Sequence, residues 1–182
     1  MRALLLLLPL AATSPASAGS AECLWNALGE APRAAFLAAY EASDGAGLDA
    51  IAPPKDASFE KALRACGVAE SDEAESAAAR AAFGEAMAAG AGRHLAIRGV
   101  IAPDRLAALW TALTPPERSA IGDYALAAAE DRPAPEAIET LKRLDRLYRQ
   151  AGWNGNVADP LLRHLVIYFN GRALAETFES RF

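Results

Sequence analysis

Two histidines are the side chains of this 182-residue chain best suited to acid–base or metal chemistry. Around His94, no histidine, cysteine or carboxylate stands at the spacing that places a second metal ligand on the same helix face. His164 stands among apolar residues, and the His-Glu-x-x-His pattern of zinc hydrolases is missing. We therefore predict no metal site and no cofactor, and we interpret His164 as a core or boundary histidine with a hydrogen-bond partner.

Motifs for other kinds of catalysis are also missing from the sequence. Glycines at positions 90 and 92 precede His94 without the Gly-Lys-Ser/Thr ending of a phosphate loop, and no serine stands in a Gly-x-Ser-x-Gly elbow. Carboxylates cluster at residues 72–75 and 136–139, near predicted helix starts, where they compensate the positive end of the helix dipole. The motifs therefore identify no catalytic residue.

The first 18 residues have the pattern of a secretory signal peptide. A positively charged start is followed by an apolar, leucine-rich run over residues 3–12 and by the small-x-small site Ala16-Ser17-Ala18. That run is shorter than the roughly 20 apolar residues that a bilayer crossing needs, and Glu22 before Cys23 argues against lipidation. We predict cleavage after Ala18, export to the periplasm or the extracellular space, and no membrane span in the mature chain.

The remaining 164 residues suit one domain built from helices. Alanine dominates the composition, with leucine, arginine and glutamate behind it, whereas the strand-forming residues valine, isoleucine and threonine are sparse. Loss of Arg2 with the signal peptide changes the formal net charge from −5 to −6, and no basic block remains. The sequence therefore predicts an all-α globular domain and argues against nucleic acid or an anionic membrane surface as a partner.

Apolar spacing, caps and breakers divide the mature chain into about eight helices. The fourth, which Ser71 caps, runs from residue 72 to about 91, and the pattern assigns no element to residues 93–101. The seventh has the clearest amphipathic stripe, from Ile138 to Ala151. The last begins at Asp159-Pro160 and is apolar on nearly every side, which predicts a central position in the fold.

A short pattern in the first half of the chain returns 85 positions later. The repeated residues are two leucines, a tryptophan and an arginine: Leu24, Trp25, Leu28 and Arg33, then Leu109, Trp110, Leu113 and Arg118. We predict an internal duplication, with repeats at about residues 21–105 and 106–182, each comprising four helices.

The chain has two cysteines, Cys23 and Cys66. In an exported protein they are expected to pair, and in the chain-entropy model a bridge over 43 residues stabilises the fold by about 4 kcal/mol. The duplication places Ala108 and Ala151 at the equivalent positions. We therefore predict a Cys23–Cys66 disulfide in the first half, and small residues meeting at the same point of the second.

The duplicated arginines and His94 are the candidates for binding a ligand or partner. Arg33 and Arg118 either make a structural contact in the first turn of a helix or form two equivalent anion sites. We expect a non-catalytic envelope binding or interaction module that uses an apolar groove between the halves or the surface at residues 90–101. The alternative is a small periplasmic hydrolase or lyase in which the fold pairs His94 or His164 with a carboxylate.

Overall fold

The computed structural model describes residues 19–46, 57–134 and 136–182. In these ranges the chain forms eight α-helices and no strand, so the all-α prediction is confirmed. The helices are α1 (Ala21–Ala27), α2 (Glu30–Ser43), α3 (Ala57–Ala65), α4 (Asp72–Ile97), α5 (Pro103–Thr111), α6 (Pro115–Ala129), α7 (Ala137–Gln150) and α8 (Pro160–Glu179). The predicted signal peptide lies outside the described residues. Among the helices that the structure describes, none combines the length and apolar character needed to cross a membrane.

Three of the helix starts have side-chain caps, and the sequence predicts two of them, Ser71 and Asp159. The side chains of Ser20, Ser71 and Asp159 accept hydrogen bonds from backbone N–H groups in the first turns of α1, α4 and α8. These bonds satisfy donors that have no partner within the helix. Local sequence therefore fixes where these helices begin.

Helix α4 continues to Ile97, beyond the end predicted at about residue 91. Gly90, which the sequence indicates as a breaker, lies against the ring of Tyr40, and a Cβ atom there would approach Tyr40 Cδ2 to 2.6 Å. Close packing of the aromatic ring on the helix therefore outweighs the low helix propensity of glycine. As a result, His94 lies on the last turn of a long helix.

The antiparallel pair α4 and α8 forms the centre of the fold. Gly84 and Gly171 bring the two backbones together, since a Cβ atom on either residue would lie 2.6 Å from the carbonyl oxygen of the other. Leu165 and Phe169 on α8 are fully buried. The predicted central position of the last helix is confirmed.

The other helices surround this pair. Helices α1, α2 and α5 pack on α4, α6 packs on α8, α3 packs on α1, and α7 packs on α6. A disulfide between Cys23 of α1 and Cys66, just after α3, has an S–S distance of 2.05 Å, which confirms the predicted pairing. Trp25 and Trp110 are both buried in the core.

The internal duplication stays a prediction. The two halves contribute four helices each, and α2 lies on α4 as α6 lies on α8. The positions equivalent to the cysteines differ, however: Ala151 is buried whereas Ala108 is exposed. The two alanines therefore do not share the buried contact that the alignment predicts, because α7 packs on α6 where its counterpart α3 packs on α1.

Candidate metal centre

The two histidines meet at one end of the α4–α8 pair. The antiparallel packing of these helices brings His94, near the end of α4, onto His164, near the start of α8. Their imidazole rings stack with centroids 3.8 Å apart and planes inclined by 18°. Both are buried, with 6% of His94 and 2% of His164 exposed. Long-range helix packing therefore joins two residues that local spacing treats as isolated.

Helix α2 contributes a carboxylate to the same place. Asp44 is the C-cap of α2 and has a left-handed backbone, with φ of 52°. At this turn, Asp44 Oδ1 lies 3.3 Å from His164 Nε2 and 3.9 Å from His94 Nε2. One ligand atom from each of the three residues lies within 4.8 Å of the other two. A shared ion at about 2.0–2.2 Å from each atom would draw them closer together.

The remaining nitrogen of each imidazole has a partner on α2. His94 Nδ1 lies 3.0 Å from Glu41 Oε2, and His164 Nδ1 lies 2.9 Å from the hydroxyl oxygen of Tyr40. Because an ionised carboxylate only accepts hydrogen bonds, Glu41 favours a proton on Nδ1 of His94 and a lone pair on its Nε2. Outer partners of this kind orient histidines that bind metals.

Burial sets the protonation of the centre. It lowers the pKa of His164, and the neighbouring His94 lowers that pKa further, so the neutral imidazole that binds metals is favoured. Burial also raises the pKa of Tyr40 well above its usual range, and Glu41 adds to that rise. The phenol therefore stays protonated and able to donate or accept.

His164 Nε2 is a fully buried nitrogen without a hydrogen-bond partner. Its approach to Asp44 Oδ1 does not have hydrogen-bond geometry. A buried polar atom without a partner costs about 1–3 kcal/mol. This nitrogen is therefore available to a ligand that enters beside Asp44.

The candidate arginines lie elsewhere and make hydrogen bonds within the fold. Arg33 donates to the carbonyl of Gly29 and to Asn26 at the end of α1. Arg118 donates to the carbonyl of Leu113 and to a carboxylate oxygen of Glu176 on α8. Each arginine contacts a carbonyl shortly before its own helix, the structural alternative considered for this pair.

The segment predicted as an interaction surface, residues 90–101, is divided between the core and the surface, with residues 97–100 exposed. Gly90 to Gly92 are buried, and the large apolar side chains that remain exposed are Ile97 and Val100. Of the predicted binding residues, the structure places only His94 in the histidine centre.

Sequence reasoning missed three residues of the centre: Tyr40, Glu41 and Asp44. In the sequence Asp44 precedes Gly45 in an Asp-Gly pair typical of a helix end, and this pair has no connection in sequence to either histidine. The left-handed backbone of Asp44 at the C-cap of α2 places its carboxylate beside the two imidazoles.

A groove of about 670 Å³ runs beside Asp44, between the end of α2 and the start of α8. Its walls are mostly apolar, and its charged residues are Asp44, Asp159 and Arg163. Asp44, whose side chain is 56% exposed, lies on the boundary between the groove and the buried histidines.

Comparison of the chain with protein-family models, with curated proteins and with solved structures found no match.

Proposed function

We propose that this protein is an exported binding protein whose ligand is a divalent transition-metal ion. Asp44 and the Nε2 atoms of His94 and His164 would hold the ion. The observation that carries the proposal is the arrangement of the four imidazole nitrogens: both Nε2 atoms face one carboxylate, and both Nδ1 atoms are engaged by outer partners.

The donor set favours a particular class of metal. Two imidazole nitrogens and one carboxylate oxygen suit zinc, copper, nickel or iron, whereas calcium and magnesium prefer sites made of oxygen atoms. The Glu41–His94 contact also supports a metal, because a carboxylate on the far nitrogen raises the basicity of an imidazole ligand. We therefore expect the site to prefer zinc over magnesium.

Binding has more support than proton-transfer catalysis. A hydrolase or lyase that uses His94 and Glu41 needs substrate access to the imidazole, yet both histidines are buried. The grooves that the structure describes around Asp44, around Glu85 and between α3 and α4 have no histidine in their walls. An ion can reach these nitrogens past the exposed Asp44 without a groove that opens onto the imidazoles.

Export remains part of the proposal. The sequence pattern of residues 1–18 supports it. The disulfide between Cys23 and Cys66 also supports it, because such bonds persist in oxidising compartments.

Calorimetric titration of chelator-treated protein with zinc chloride tests the proposal. We expect one ion per chain, and a large loss of affinity in Asp44→Asn and in His164→Gln. Asp123→Asn, at an exposed position on α6, is the matched control and should bind zinc like the wild type. Circular dichroism verifies that each variant is folded. Absence of zinc binding in the folded wild-type protein, or unchanged binding in both site variants, would refute the proposal.

A further inference from the structure

We infer that the bound ion keeps an open coordination position toward the groove beside Asp44, and that a small aliphatic carboxylate binds there as a further ligand. This inference rests on the proposed metal function. It names the class of molecule that the metal-loaded protein would recognise.

The number of protein ligands leaves room for an external ligand on the ion. Three protein ligands leave at least one position of a tetrahedral ion to an external ligand. The two histidines close the buried side, since both lie inside the contact of α4 with α8. Asp44 is the exposed ligand, so an external molecule approaches from its side, where the groove lies.

The charge of the groove near Asp44 favours a negatively charged ligand. Arg163 Nη1 lies 3.3 Å from the carbonyl oxygen of Asp44 and 3.6 Å from its Oδ2 atom, and the Arg163 side chain is 53% exposed. The other acidic residue of the wall, Asp159, already caps α8 by accepting a hydrogen bond from the N–H of Leu161. A molecule that enters beside Asp44 therefore meets a guanidinium group and a metal cation together.

The apolar wall of the groove favours an aliphatic ligand. Four side chains of the groove are aliphatic and branched: Val157, Leu162, Val166 and Ile167. Val157 is 80% exposed, which leaves apolar area for a ligand to cover. A carboxylate fits both the ion and the planar guanidinium group, and a short branched alkyl chain fits the aliphatic wall. A protonated amine of the same shape has no lone pair for the ion and would be repelled by both cations.

The test uses the cobalt(II)-loaded wild-type protein and 4-methylpentanoate. Direct coordination changes the visible absorption of cobalt, and calorimetry measures the affinity. We expect saturable binding of 4-methylpentanoate and none of the neutral 4-methylpentanamide at the same concentration. In Arg163→Gln, measured at a cobalt concentration that saturates the site, the carboxylate should bind about tenfold or more weakly, because a charge-assisted bond is lost. Arg105→Gln, at an exposed position on α5, is the control and should behave as the wild type.

The outcomes separate this inference from the function on which it rests. If cobalt binds but 4-methylpentanoate leaves its spectrum unchanged, the inference is overturned and the metal function stands. If the acid binds equally to protein with and without cobalt, the inference is again overturned, since the ion takes no part. If no cobalt binds at all, the inference and the proposed function fall together.

Discussion

The rings of His94 and His164 stack face to face, with centroids 3.8 Å apart, beside the carboxylate of Asp44. A metal ion lies close to the plane of each imidazole that binds it, so two nearly parallel rings cannot both point at one ion. Binding must therefore tilt the rings apart while Glu41 and Tyr40 keep hold of their Nδ1 atoms. This relationship connects the metal hypothesis to a movement that spectroscopy can follow.

Glu41 should influence metal affinity without touching the ion. Replacing it with glutamine removes the charge that orients His94 and raises the basicity of its imidazole. We expect zinc affinity to fall by about 10- to 100-fold, the usual effect of losing an outer partner. Competition with a zinc indicator measures this change. The control is Glu30→Gln, an exposed position in the first turn of the same helix; equal losses in the two variants would contradict the assigned role.

The disulfide should contribute a large share of the stability. It joins Cys23 to Cys66 across 43 residues, so reducing it enlarges the conformational freedom of the unfolded chain. We expect reduction to lower the free energy of unfolding by about 2–4 kcal/mol. Urea denaturation with and without a reductant measures the loss. The variant with serine at both positions should have the urea midpoint of the reduced wild-type protein, with or without the reductant. A wild-type midpoint that is the same with and without the reductant would be inconsistent with this expectation.

Two glycines of α4 should respond to alanine in opposite directions. At Gly84 the added Cβ atom meets the backbone of α8 at 2.6 Å, so we expect Gly84→Ala to destabilise the protein by about 1–3 kcal/mol. At Gly92 the nearest atom, on Tyr168, lies at an ordinary 3.5 Å. There the higher helix propensity of alanine should stabilise by about 0.5–1 kcal/mol. Thermal unfolding compares the pair, and a loss of the same size in both would argue against the close helix crossing.

Glu85 should make stability depend on pH. Burial raises the pKa of its carboxyl, although the Arg172 guanidinium opposes that rise. A carboxyl with a raised folded-state pKa contributes stability at pH values below its unfolded pKa, and this contribution is lost as the pH rises through the folded value. Glutamine does not ionise, so Glu85→Gln should gain stability relative to the wild type as the pH rises from about 4 to about 7.

Urea denaturation across this pH range checks the prediction. Glu73→Gln, at an exposed position in the first turn of the same helix, is the control. The prediction would be wrong if the difference in free energy of unfolding between Glu85→Gln and the wild type did not change with pH. Such a result would mean that folding leaves the pKa of the Glu85 carboxyl unchanged.

Local sequence predicted most of the fold and little of the site. Caps such as Ser71 and Asp159 identified helix starts, and two cysteines in an export context identified the disulfide. The length of α4 was underestimated, because the contact of Gly90 with Tyr40 is a tertiary one. The sequence did not predict the histidine centre for the same reason. Its ligands come from three helices, and no two of them have the sequence spacing that places two ligands on one helix face.

The measurement that tests the central claim most directly is X-ray absorption spectroscopy of the zinc-loaded protein at one ion per chain. Backscattering from the outer atoms of an imidazole ring counts the histidines bound to zinc. The account predicts two imidazoles and at least one oxygen at about 2.0–2.2 Å, with one imidazole lost in His94→Gln and one in His164→Gln. A zinc shell made only of oxygen atoms in the wild-type protein would contradict it.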